Sequence, residues 1–115
     1  MRSPGEVLES HLKLREEKNL EKDLEENYDP DIVLLTMDGV FKNFKGVRES
    51  AKLLRAAVPQ GVYHYKQKYV EGDMAFLVWT ADSKKDHICD GADSYLIKNG
   101  KIVFQTIYYS VKPNK

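Results

Sequence analysis

Only one cysteine, Cys89, occurs in the 115 residues, so no disulfide can close within one chain. A buried, reduced thiol in a cytoplasmic protein is the expectation for it. An excess of either charge is also missing: 18 Lys and Arg balance 18 Asp and Glu, which leaves no net field to draw the chain to phosphate backbones or anionic lipid. Neither nucleic acid nor a membrane is expected as a partner. No run approaches the roughly 18 apolar residues of a membrane span, and the opening MRSPGEVLESHLKLREE lacks the apolar centre of a secretion signal. G-x-S-x-G, nucleophile-elbow and phosphate-loop patterns are absent. His87 and Cys89 share strand parity without a clear third zinc ligand, so neither a metal nor a cofactor is expected.

What is present suits one globular core. Apolar residues make up 42% of the chain, with seven Tyr, four Phe and one Trp, and a single domain over residues 1–115 is expected. Ser3-Pro4-Gly5-Glu6 has the form of a helix start, with Ser3 as N-cap, Pro4 at the first helical position and Glu6 three residues after the cap. The spacing of Val7, Leu8 and Leu12 predicts a helix over about Pro4–Lys18. Asn19 then caps a second helix to about Asn27, which Asp29-Pro30 ends. The charges of EEKNLEKDLEE are read as a solvated face without functional weight.

From Asp31 the pattern changes to strand. Ile32–Met37 and Val40–Phe44 flank an Asp38-Gly39 turn, and a third helix follows from Gly46, stopped by Pro59-Gln60-Gly61. Val62–Val70 and Met74–Ala81 flank Glu71-Gly72-Asp73. The longest signal is HICDGADSYLIKNGKIVFQTIYYSV, two strands around Asn99-Gly100, the cheapest pair for a turn that needs φ > 0 twice. Helices grouped early and a long antiparallel sheet late give an α+β fold. Tyr63, Tyr65 and Tyr69 are either an aromatic platform or cross-strand packing, and Trp79 is read as core.

The DPDIVLL entry, the VFKNFKGVRE step, the EGDMAFLVWTA strand and DSYLIKNGKIVFQTIYYSV together make the whole chain resemble the nuclear-transport-factor-2-like superfamily. That group includes SnoaL-type polyketide cyclases, ketosteroid isomerases and limonene epoxide hydrolases. The resemblance implies a cone-shaped, strongly bent antiparallel β-sheet wrapped around N-terminal helices, with an internal cavity. It is specific for fold and weak for chemistry, because function on a shared scaffold resides in a few pocket side chains.

Strand alternation assigns the faces. Taking Asp93 as inward places His87, Cys89, Gly91, Tyr95 and Ile97 with it. The resemblance puts Val103, Gln105, Ile107 and Tyr109 toward the cavity, and Ile102, Phe104, Thr106 and Tyr108 on the outer surface. An apolar outer face implies a homodimer through Phe104 and Tyr108, with packing inside the chain as the competing reading. Asp93 matches by distance from the turn the oxyanion-donating acid of ketosteroid isomerases. The general-base position of that family falls on Thr36 and the phenol donor near His11 or Leu12, so both required side chains are missing and steroid isomerisation is not implied.

A desolvated Asp93 has its pKa raised and serves as acid, base or ligand anchor; alternatively it accepts hydrogen bonds in a polar-lined cavity. His11 facing Asp93 forms an acid/base dyad, or simply packs. The candidate catalytic residues are Asp93 and His11; the candidate ligand-binding residues are Tyr95, Gln105, Tyr109, Thr36 and Phe76. The function expected is binding of a small apolar or aromatic molecule, with cofactor-independent isomerase, cyclase or dehydratase chemistry on an apolar carbonyl compound. The alternative is a non-catalytic ligand-binding or dimeric interaction module.

Overall fold

Helix α1 (Pro4–Glu16) starts as its sequence signature requires: Ser3 Oγ accepts from the Glu6 N–H at 3.2 Å, and Glu6 Oε1 accepts from the Ser3 N–H at 2.8 Å. It ends two residues before the predicted Lys18, because Lys18 takes a left-handed φ of 58° that an α-helix cannot continue through. Asn19 accepts from the Lys22 N–H and caps α2 (Leu20–Asn27). The computed structural model describes residues 1–115.

Strand β1 (Tyr28–Thr36) begins four residues earlier than the apolar run suggested. Pro30 is tolerated there because the pairing of β1 is irregular between Tyr28 and Val33, so its missing N–H breaks no regular ladder. Strand β2 (Gly39–Lys42) turns back on β1, and α3 (Asn43–Ala57) follows three residues sooner than the Gly46 signal indicated. The long strands are β3 (Val62–Glu71), β4 (Met74–Asp82), β5 (Asp86–Lys98) and β6 (Lys101–Tyr108), with an unanticipated short β7 (Lys112–Pro113) beside the start of β5.

The strands join in the order β2-β1-β6-β5-β4-β3. All neighbours are antiparallel except β1 and β6, which are parallel, so the sheet is mixed where an antiparallel one was expected. The curved, unclosed sheet wraps α1, which touches β3, β4, β5 and β6. Irregular pairings at Tyr65/Gln67, Trp79/Ala81 and Leu96/Ile97 supply local bends.

Two of these bulges reverse face assignments made from strict alternation. Trp79 pairs with Gly91 and Ala81 with Ile88, so β5 carries one extra residue at this point. Ile88 therefore faces the core, Cys89 is exposed rather than buried, and His87 is half-buried rather than inward. Leu96 pairs with Phe104 and Ile97 with Ile102, which puts an extra residue into β6. Ile102 is consequently fully buried, against the outward expectation, while Phe104 and Tyr108 are exposed. The core under the sheet joins Val7, Leu8 and Leu12 of α1 to Leu77, Trp79, Tyr95 and Ile97.

Candidate functional site

Asp93 sits inward on β5, opposite Leu77 of β4 and Ile107 of β6. Trp79 comes to it because Gly91 has no side chain: a Cβ at Gly91 would lie 2.3 Å from Cδ2 of the indole. The ring can therefore lie against β5, and its Nε1–H donates to Asp93 Oδ1 at 2.9 Å. Tyr95, two residues along β5, places its hydroxyl 3.3 Å from Asp93 Oδ2. Gln105, paired with Tyr95 across the β5–β6 ladder, donates from Nε2 to the same oxygen at 3.1 Å and accepts from the Tyr28 hydroxyl.

The helices supply the other half. His11 of α1 is buried with its ring edge-on to Tyr28 and Tyr95. Its Nδ1 lies 2.8 Å from Asp23 Oδ2, and its Nε2 lies 3.3 Å from the Tyr95 hydroxyl. Asp23, on α2, is fully buried. Arg15 Nε donates to its Oδ2 at 2.7 Å, and Asn27 Nδ2 to its Oδ1 at 2.8 Å. The result is a continuous polar chain, Asp23–His11–Tyr95–Asp93, branching to Trp79 and Gln105, in which no buried side-chain nitrogen or oxygen lacks a partner.

The two carboxyl groups shift in opposite directions. Burial pushes the Asp93 pKa up, and the hydrogen bond from Trp79, the nearby His11 and the bonds from Gln105 and Tyr95 only partly offset it. Burial also opposes ionisation of Asp23, but the charge and hydrogen bond of His11, with Arg15 and Asn27, outweigh it and hold that carboxyl below its ordinary value. Burial raises the Tyr95 phenol far above its usual range, with the Asp93 charge adding to the effect. Burial thus makes Asp93 easier to protonate than an ordinary carboxyl, and its partners make Asp23 harder to protonate.

Of the residues expected at the site, Asp93, His11, Tyr95 and Gln105 meet, with Tyr95 bridging the first two. Tyr109 is buried with its ring 5.7 Å from that of Trp79. Thr36 lies outside the group: its Oγ1 accepts from the Asp38 N–H at 2.9 Å in the β1–β2 turn. Phe76 is also outside, exposed on the convex face of β4, where Ala75, Leu77 and Trp79 take the inner positions.

Asp23 corrects the expectation that its segment is only a solvated face. The signal was present: Leu20, Asp23, Leu24 and Asn27 are spaced i, i+3, i+4, i+7, the buried face of α2. Trp79 and Tyr28 were likewise missed as polar partners, although a buried indole N–H and phenol need one. Two surface depressions lie elsewhere, one lined by Arg2, Glu25, Glu26 and Lys101, the other by Tyr69, Val70, Met74 and Phe76 on the convex face. No group of three or more His, Cys, Asp or Glu side chains is arranged to hold a metal ion.

No family model matches the chain, and no curated protein sequence matches it. Solved structures do. A nuclear-transport-factor-2-like protein of unknown function from Cytophaga hutchinsonii superposes with a TM-score of 0.74 at 11% identity, covering 96% of this chain and 92% of that one. TerC, co-crystallised with polyporic acid, gives 0.75 at 14% identity over 94% and 92% of the two chains. A SnoaL-like protein from Mesorhizobium loti, provisionally assigned as a polyketide cyclase, gives 0.66 at 17% identity over 94% and 100%. At these identities the likeness is one of fold.

Proposed function

We propose that this chain, which has the nuclear-transport-factor-2-like fold, is a single domain over residues 1–115 that binds a small apolar or aromatic molecule against Asp93. A carbonyl or hydroxyl oxygen of the ligand takes its hydrogen bond from the neutral Asp93 carboxyl. The observation that carries this reading is a buried carboxyl set beside an aromatic wall. Tyr63, Trp79 and Tyr109 form that wall, with ring centroids 5.8 and 5.7 Å apart along the series.

The chemistry this supports is cofactor-independent acid/base catalysis, as in an isomerase, cyclase or dehydratase acting on an apolar carbonyl compound. Neutral Asp93 donates a proton to a developing oxyanion, and Trp79 and Gln105 then stabilise the carboxylate left behind. Polyporic acid with TerC and the polyketide cyclase assignment of the Mesorhizobium loti protein favour an oxygenated organic ligand. An exposed, unpaired Cys89 fits a reducing compartment such as the cytoplasm.

Trp79 is the only tryptophan, so its fluorescence reports on the site directly. Titration with aromatic hydroxy-carbonyl compounds should give a saturable change that Asp93→Ala abolishes. A panel with no saturable change, or one unaltered by that substitution, would remove Asp93 as anchor.

A second reading, a dimeric interaction module without turnover, is favoured by the convex face. Leu35 of β1, Met74 and Phe76 of β4, and Phe104 and Tyr108 of β6 are all exposed there. A homodimer through Phe104 and Tyr108 covers this surface and is compatible with ligand binding on the concave side.

A further inference from the structure

We propose that Asp23, His11 and Tyr95 form a relay that loads a proton onto Asp93 and withdraws it again inside the core, with Asp23 as the positioning residue that fixes the tautomer of His11. The relay deepens the acid/base reading and rests on it. Hydrogen counting leads to it. Tyr95 has one hydroxyl proton but stands 3.3 Å from two potential acceptors, His11 Nε2 and Asp93 Oδ2. It donates to one of them, so the other contact is a hydrogen bond only if the partner supplies a proton to the phenol oxygen.

Asp23 restricts the choice. Its Oδ2 is 2.8 Å from His11 Nδ1, and as a carboxylate held by Arg15 and Asn27 it accepts the Nδ1–H. When its ring is neutral, His11 is then left with a bare Nε2, which accepts from Tyr95. Under that arrangement Asp93 completes the chain by carrying its own proton and donating it to the Tyr95 oxygen. The raised pKa of Asp93 agrees with this state.

A second arrangement contains the same number of protons. The Asp93 O–H bond breaks as a new O–H bond forms on Tyr95, while the original Tyr95 O–H breaks and an N–H bond forms on His11 Nε2. Asp93 becomes a carboxylate and His11 an imidazolium; Tyr95 ends as it began, and Asp23 remains ionised throughout. No oxidant, reductant or solvent proton takes part, and the net charge of the buried group does not change. Asp93 can therefore give its proton to a ligand from the first arrangement or, as the carboxylate of the second, take one from a ligand, and the core need not open to water to pass between the two. The charged and titratable groups facing the relay are Arg15 from α1, Asp23 from α2, Tyr28 from β1, Tyr65 from β3, whose hydroxyl points to the Leu12 carbonyl, and Tyr109 just after β6. Trp79 of β4 and Gln105 of β6 face it without titrating.

NMR of the full chain, labelled with nitrogen-15 in the imidazoles and carbon-13 in the aspartate carboxyls, tests the relay. In the wild type, neutral His11 should carry its proton on Nδ1, and His11 and Asp93 should shift over one shared pH range. Tyr95→Phe should split that range into two independent titrations, and Asp23→Asn should move the neutral His11 proton from Nδ1 toward Nε2. A wild-type Nε2–H tautomer, or titrations identical in the wild type and Tyr95→Phe, overturns the relay. The wild-type tautomer decides the matter even where a variant fails to fold. Coupled titration without saturable Trp79 binding would remove the ligand reading alone, whereas binding with an Nε2–H tautomer would remove the relay alone.

Discussion

At the scale of single residues, Asp93 and Asp23 make opposite contributions to the pH dependence of stability. Asp93 has a raised folded-state pKa, so between the ordinary carboxyl value of 3.8 and that raised value the native state binds more protons than the unfolded one. Stability therefore falls as pH climbs through this window, and Asp93→Asn should flatten the slope in urea melts at stepped pH. Asp23 has a depressed folded-state pKa, so its contribution is present above 3.8 and is lost as pH falls below it. Asp23→Asn weakens the bonds to His11 and Arg15 and should lower stability by about 1–3 kcal/mol at neutral pH, with the deficit shrinking on acidification. Gly91 is the third sensitive position. A methyl group there meets the Trp79 ring, so Gly91→Ala should cost about 1–3 kcal/mol and change the Trp79 emission as Nε1 leaves Asp93.

At the scale of elements, local rules govern the ends and turns. The reciprocal Ser3–Glu6 bonds make Ser3→Ala a direct measure of the α1 cap, with an expected loss of about 1 kcal/mol in chemical denaturation. The β5–β6 hairpin turns through Asn99 at φ 54° and Gly100 at φ 74°, as Asn-Gly requires. Those signals were legible because each involves neighbours a few residues apart. Bulges were not legible: the extra residues in β5 near Ile88–Gly91 and in β6 near Val103 depend on partner strands, and each reverses the facing of the residues on its far side. Cys89 and Ile102 changed sides for this reason. Asp23 was hidden differently, because the dense charge around it masks an apolar spacing that places it inward.

At the scale of the molecule, the sheet presents two surfaces with different demands. Its concave side carries α1, α2 and the polar chain from Asp23 to Asp93, whereas its convex side exposes Phe104 and Tyr108 beside a Ser94–Thr106 hydrogen bond. Burying that convex face between two copies removes apolar surface from water without disturbing the inner network. Phe104→Glu combined with Tyr108→Lys should give a folded monomer by sedimentation, with Trp79 emission unchanged. A wild-type chain that sediments as a monomer at high concentration would exclude the dimer.

The sequence by itself determined the order of helices and strands, the Ser3 cap, the Asn99-Gly100 turn and that Tyr95 and Ile97 share the face of Asp93 on β5, because capping, turn geometry and two-residue alternation act over short stretches of chain. Only the tertiary structure decided that Asp23 and His11 reach Asp93 through Tyr95, that Trp79 rests on Gly91, and that Phe76 and Thr36 stand apart. Those outcomes depend on how a bulged sheet curls around two helices. That curvature brings together groups as far apart in the chain as His11 and Tyr95, and no local spacing encodes it.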